Sequence, residues 1–121
     1  MFINFSNHPS KNWSQEQLEA ARVYGEITDL PFPNVFPSAS EKDLQSLANQ
    51  YVQKITSMGK DNQTTVHIMG EMTFTYAVVS KLKEKGIHCV ASTTERKTIY
   101  NSDGTKLSEF SFVKFREYLA F

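Results

Sequence analysis

VHIMGEMTFTYAVVSKLKEKGIHCVA, residues 66–91, is the stretch that decides the fold. Val66-His67-Ile68-Met69 has the length and apolar character of a strand, and Gly70 breaks it. Residues 73–85 then read as a helix that stops at Gly86, and residues 87–91 form a second apolar run. The unbroken apolarity of that second run suits a strand covered on both faces, as in a parallel sheet.

Working outward, Leu44, Leu47, Ala48, Tyr51, Val52, Ile55 and Met58 fall on one helical face. Ser40 can cap this helix with Asp43 at its third position, Gly59 stops it, and residues 60–64 turn the chain. Upstream, residues 27–30 are extended and end at Pro31-Phe32-Pro33, where two prolines remove ladder donors and open a loop to residue 37. Ser14 with Gln17 fits a capping box for a helix over 14–24, with Leu18 and Ala21 on its apolar face and Gly25 at its end. Residues 2–5 form an opening strand that feeds a polar loop over 6–13. The order is β-α-β-α-β-α-β.

After Ser92 the period changes. Residues 97–100 alternate, Asn101-Ser102-Asp103-Gly104 signals a turn, and residues 110–116 alternate strongly, so a hairpin completes the sheet. Phe110, Phe112 and Val113 break the alternation, which predicts a bulge, and the Phe-rich face has a helix or a second subunit as its natural cover. The fold class expected is α/β, a Rossmann-like three-layer sandwich in one domain over 1–121, with a mainly parallel sheet and a C-terminal antiparallel hairpin.

The 121 residues carry 13 Lys plus Arg and 13 Asp plus Glu, a formal net charge of zero, which excludes a broadly basic DNA binder. No basic region precedes Met1-Phe2-Ile3-Asn4-Phe5, and no apolar run nears the roughly 18 residues of a membrane span, so a cytoplasmic chain without membrane attachment is expected. The single cysteine, Cys89, sits in an apolar run and reads as core filling.

In a doubly wound sheet the second and third strands flank the first, and ligands bind at the carboxyl ends of the strands around that switch point. This brings together the 6–13 and 70–73 loops, and the fourth strand is expected to deliver residues 92–96 to the same edge. Gly70-Glu71-Met72-Thr73 opens a helix whose free amides and Thr73 hydroxyl suit a phosphate, although a structural turn explains Gly70 equally. Glu71 competes for those amides and can instead accept from a sugar hydroxyl. Ser6-Asn7-His8 offers a hydroxyl, an amide and an imidazole able to move a proton, and Thr93-Thr94-Glu95-Arg96 offers two hydroxyls and a guanidinium for phosphate oxygens. Arg116 either reaches this edge or pairs with Glu117. His67 and His88 read as hydrogen-bonded strand residues. HExxH, CxxC and clustered carboxylates are missing, so neither a metal nor a cofactor is expected.

Gly70-Glu71-Met72-Thr73-Phe74-Thr75-Tyr76, Gly86 through Thr93-Thr94-Glu95-Arg96, and Phe112-Val113-Lys114-Phe115-Arg116-Glu117-Tyr118 together resemble the small stand-alone CRISPR-associated ring nucleases related to CARF (CRISPR-associated Rossmann fold) domains. Phe5-Ser6-Asn7-His8 is similar to their strand-end Phe-Ser-His, with Asn7 inserted. The resemblance is strongest over residues 70–118. It implies a homodimer that binds cyclic oligoadenylate, of four or six adenylates, across its two-fold axis. It further implies that the ring is cut without a metal, by attack of a ribose 2′-hydroxyl on the neighbouring phosphate, which ends a type III CRISPR antiviral signal. Arg96, Ser6 and His8 would then be catalytic, while Asn7, Gly70, Glu71, Thr73, Thr93, Thr94 and Arg116 would bind the ligand. Two other readings stand beside it. One is a sensor or sponge that holds the ring uncut, and the other is a generic Rossmann-like nucleotide-binding protein.

Overall fold

Strand β1 (Phe2–Ser6) is buried along its whole length because it has a parallel neighbour on each side. Those neighbours are β2 (Ile27–Asp29) and β3 (Thr65–Met69). The computed structural model describes residues 1–59 and 63–121 and gives one five-stranded sheet in the order β2-β1-β3-β4-β5. Strand β4 (His88–Tyr100) runs parallel to β3, and β5 (Lys106–Glu117) returns antiparallel to it. The switch point expected between the first and third strands is present. Of the expected 60–64 turn, residues 60–62 lie outside the described residues.

Helices α2 (Glu41–Met58) and α3 (Met72–Glu84) cover one face, and the shorter α1 (Gln15–Arg22) covers the other. Alternation along β1 sorts its side chains between these layers. Ile3 and Phe5 join Val52, Ile55, Ile68 and Phe74 under α2 and α3, whereas Phe2 joins Ala21, Val90 and Phe115 beside α1. The helix starts follow the sequence closely. Ser14 accepts from the Gln17 amide at 3.2 Å, and Ser40 and Asp43 form a reciprocal capping box. Cys89 is fully buried, and burial pushes its thiol up to about 12, which leaves it an inert packing group. Among the described residues no helix is long and apolar enough to cross a membrane.

The bulge falls where the alternation breaks. The register steps from Thr93 opposite Lys114 to Thr94 opposite Phe112, leaving Val113 as the extra residue. That step turns Phe112 and Phe115 to the same face, with ring centroids 4.9 Å apart. One expectation is corrected: the fourth strand does not end at Ala91. β5 supplies partners as far as Tyr100, so the chain past Ser92 stays extended instead of looping at the sheet edge.

Gly70 is explained by packing. A Cβ built there would overlap the ring of Phe32, which leans on Phe5 and Phe74 in the core. Gly70→Ala is therefore expected to destabilise the chain by about 1–3 kcal/mol through overpacking. In a Phe32→Leu background the same change should cost clearly less, and equal costs in chemical denaturation would show that the ring is not the obstacle.

Candidate functional site at the carboxyl edge

The ends of β1 and β3 meet at one edge, beside β4 as it passes. Ser6 lies opposite Met69 in the parallel register, and Ser92 reaches the Met69 thioether through its amide at 3.3 Å and its hydroxyl at 2.9 Å. The loops that follow β1 and β3 open here, so the structure brings Ser6, Asn7 and His8 to the same edge as Gly70, Glu71 and Thr73.

Beneath this edge lies a polar network centred on Asn4. Its Nδ2 donates to the His8 carbonyl at 2.9 Å and to Asp29 Oδ1 at 2.8 Å, while its Oδ1 accepts from Ser6 Oγ at 2.8 Å and meets His67 Nδ1 at 2.9 Å. Every hydrogen-bonding position of the carboxamide is thereby used. The two Nδ2 acceptors fix which way the amide points, and an accepting Oδ1 requires the hydrogen of His67 to sit on Nδ1. Nε2 of His67 then carries a bare lone pair and has no partner among the described residues. The ring stacks on Phe2 and meets the rings of Trp13 and Phe115 edge-on, with centroids 5.5 and 5.3 Å away. Burial, with the nearby His8 imidazole adding to it, lowers the His67 pKa from 6.5 to about 4.

The network also fixes the loop above it. The His8 carbonyl accepts from Asn4 and, at 3.1 Å, from the Trp13 indole, and Ser10 binds both carboxylate oxygens of Asp29. Ser6 is consumed in this framework, donating to Asn4 and accepting from the His8 amide at 3.2 Å. The His8 and Asn7 side chains are exposed on the loop.

The end of α3 is likewise occupied from within. Glu71 caps the helix, accepting from the amides of Thr73 at 3.1 Å and Phe74 at 2.8 Å and from the Thr73 hydroxyl at 2.7 Å. These bonds hold its carboxyl below the usual range, the Thr73 hydroxyl contributing most. The amides that would cradle a phosphate already hold a carboxylate.

The remaining expected residues sit on the hairpin. Thr93, Thr94 and Arg96 are strand residues and not a loop, so neighbours point to opposite faces. Thr93 donates to the Lys114 carbonyl at 3.1 Å, whereas Thr94 and Arg96 share the α1 side with Phe112 and Phe110. Arg96 stands four residues beyond Ser92, about 13 Å at 3.3 Å per residue, and its guanidinium donates to Ser108 at 3.2 Å. Arg116 lies opposite Ala91, and Glu117 pairs with Lys83 at 3.4 Å instead of with Arg116. His88 meets the Thr65 hydroxyl at 3.1 Å, as expected of a strand histidine.

Two cavities open at the edge. One of about 210 Å³ is lined by Asn4, Ser6, Asn7, Asp29 and Phe32. The other, about 860 Å³, lies between α3 and the chain after β5 and is lined by Gly70, Met72, Thr75, Tyr76 and Tyr118. The Phe32 ring, packed on Gly70, stands between them. Only the larger has the volume of a typical small-molecule site, roughly 300–1,000 Å³. Sequence reasoning missed Asn4, Asp29 and Thr75. A polar residue inside the apolar run 2–5 was the signal for Asn4. Among the described residues, no three of His, Cys, Asp and Glu group as a metal site.

A doubly wound sheet with loops at its switch point defines a Rossmann-like α/β domain. Residues 1–116 match the model of the Uncharacterized protein MJ1673 family, and the chain belongs to that family. No curated protein and no solved structure matches it.

The neutral His67 gives the fold an acid sensitivity. The unfolded chain takes up this proton near pH 6.5 and the folded chain only near 4, so between those values the unfolded state binds more protons and stability falls as pH falls. At 1.36 kcal/mol per unit the loss reaches about 3 kcal/mol by pH 4. Thermal melts of the wild type and His67→Gln across this window check it. The variant should lose most of the slope, and an unchanged slope would assign the sensitivity to other groups.

Proposed function

We propose that this protein binds cyclic oligoadenylate at the carboxyl edge, in the cytosol, as a homodimer whose two edges share the ring. The observation that carries this reading is the convergence of the Ser6–Asn7–His8 and Gly70–Glu71–Thr73 loops at the switch point, beside a cavity of about 860 Å³. The sequence resemblance supplies the ligand class. The exposed amide of Asn7 and imidazole of His8 suit the polar backbone of a phosphodiester ring, and a two-fold dimer matches a symmetric ligand.

Binding is favoured over cleavage within one copy. The Ser6 hydroxyl is engaged by Asn4 and the His8 amide, and Arg96 stands well beyond the strand ends. Ring cleavage is the second reading, and the exposed His8 side chain beside Ser6 is the feature that favours it. In that reading a ribose 2′-hydroxyl attacks the adjacent phosphorus, the P–O5′ bond breaks, and a 2′,3′-cyclic phosphate end remains. Arg96 stabilises the phosphate charge, the attacking 2′-hydroxyl loses its proton to water, and His8 supplies the proton with which O5′ leaves and regains it from water.

Calorimetric titration with cyclic tetra- and hexa-adenylate, followed by product analysis in excess EDTA, tests both readings. Saturable binding with intact rings is expected, and absence of binding to either ring would leave a generic nucleotide-binding domain. Loss of a charge-assisted contact of about 1.5–3 kcal/mol in Arg96→Ala should weaken binding roughly 10- to 150-fold. If linear products form, Arg96→Ala should slow single-turnover cleavage by about 10²–10³, whereas a normal rate in His8→Ala would remove His8 from proton transfer.

A further inference from the structure

β5 is the outermost strand of the sheet, and among the described residues no strand pairs with its outer edge. Its N–H and C=O groups alternate between that edge and β4. The Asn101 amide donates to the Thr105 carbonyl and the Tyr118 amide to the Cys89 carbonyl, at 2.9 Å each. Counted inward from these two ends, residues 105, 107, 109 and 111 on one side of the register step, and 114 and 116 on the other, bond to β4. Lys106, Ser108, Phe110, Phe115 and Glu117 therefore turn their backbone groups outward, and a free edge 12 residues long is a template for another strand.

The side chains along this edge form a self-complementary series, for which the unbulged β4 serves as a ruler. Lys106 and Glu117 lie opposite Tyr100 and Val90, Glu109 and Lys114 opposite Lys97 and Thr93, and Phe110 and Phe112 opposite Arg96 and Thr94. All three pairs are centred on one rung, that of Glu95 and Ser111. Within each pair the residues stand an even number of β4 positions apart, so they share a face. The extra Val113 is the cause, because by sequence number alone Lys106 and Glu117, or Glu109 and Lys114, are an odd number apart. The outward-turned residues are symmetric about the same rung, Lys106 with Glu117 and Ser108 with Phe115. Among the described residues neither Glu109 nor Lys114 has an ion-pair partner within the chain, and Glu117, which meets Lys83 at 3.4 Å, remains half exposed. Phe110 and Val113 are 68% and 54% exposed.

We infer that β5 pairs antiparallel with β5 of a second copy about a two-fold axis at Ser111, joining the two sheets edge to edge. Glu109 then stands opposite the partner's Lys114, Lys106 opposite the partner's Glu117, and Phe110 opposite the partner's Phe112, each contact occurring twice. Outward N–H and C=O groups meet outward counterparts. Charge selects a second copy as the occupant, because the register that overlaps the whole edge is also the one that sets these four charges opposite their complements. A slip by two residues, the smallest that keeps the faces matched, sets Lys114 opposite the partner's Ser111 or the partner's Leu107 instead. The axis reverses strand direction, and β5 lies two strands or more from β1 and β3. This interface is therefore distinct from a contact in which two carboxyl edges share a ring, and it does not rest on the nucleotide reading.

Sedimentation equilibrium of the full chain without ligand tests the pairing, with twice the 13.8 kDa of one chain as the expected mass. Glu109→Lys and Lys114→Glu each place like charges on two opposed rungs and should weaken association by about tenfold or more. Mixing the two variants should restore the dimer, because every opposed rung again holds opposite charges, and the double variant E109K/K114E should dimerise likewise. Misfolding cannot give that recovery. Ser111→Cys should form a disulfide-linked dimer under mild oxidation, since directly opposed residues at such a rung are about 4.5 Å apart between Cα atoms, within the span of a disulfide. Ser102→Cys in the hairpin turn should not link, and the native Cys89 is buried. A wild type that stays monomeric at hundreds of micromolar, single variants that dimerise like the wild type, a mixture that stays monomeric, or Ser111→Cys linking no better than Ser102→Cys would each overturn the pairing. If the dimer forms but binds neither cyclic tetra- nor hexa-adenylate, the nucleotide reading fails while the pairing stands.

Discussion

The carboxamide of Asn4 is the constraint on which the working edge depends. It is 1% exposed in β1, an interior strand, so a polar atom of it left without a partner would impose a cost of about 1–3 kcal/mol. Its four partners belong to β1, β2, β3 and the loop after β1, and satisfying them fixes the positions of Ser6, Asp29, His67 and the His8 carbonyl together. Trp13 adds a second clamp on that carbonyl and closes the aromatic layer over His67. The loop that presents Asn7 and His8 is therefore anchored through its backbone, while their side chains face outward.

The groups most suggestive of phosphate chemistry are held by the protein itself. Glu71 takes the amides at the start of α3, Asn4 takes the Ser6 hydroxyl, and Ser108 receives the Arg96 guanidinium. A ligand at this edge would exchange with these internal bonds, and a carboxylate at a helix start repels a phosphate that approaches the same amides. This favours contacts from exposed groups on the loop over a cradle built from the strand ends. Phe32 reinforces the division by separating the polar cavity near Asp29 from the apolar one beside α3.

The hairpin follows from the same economy of partners. β4 remains a strand past Ser92 because β5 supplies its hydrogen bonds, and the extra Val113 allows Phe112 and Phe115 to serve one core after the register has shifted. The hairpin runs outward past the start of α1, so Phe110 is exposed while Phe115, four rungs closer to the sheet, is buried.

Local chemistry sufficed for the helices, the parallel strands, the switch point and the bulge. Ser40 with Asp43 sets a helix start within one turn, and apolar period separates 44–58 from 66–69 without reference to distant residues. Cys89, His67 and His88 were also legible as strand residues with structural partners. The extent of β4 was not, because whether Thr93–Arg96 is loop or strand depends on a partner some twenty residues away. The run of β-branched Thr93, Thr94, Thr98 and Ile99 was the available hint. The claim of Glu71 on the first amides of α3 was legible too, because its partners lie two and three residues away, whereas Gly70 as a seat for Phe32 and Asn4 as the centre of the edge were decided by tertiary structure alone. Sequence states which groups can form hydrogen bonds, but only the packed chain determines which of them are already taken.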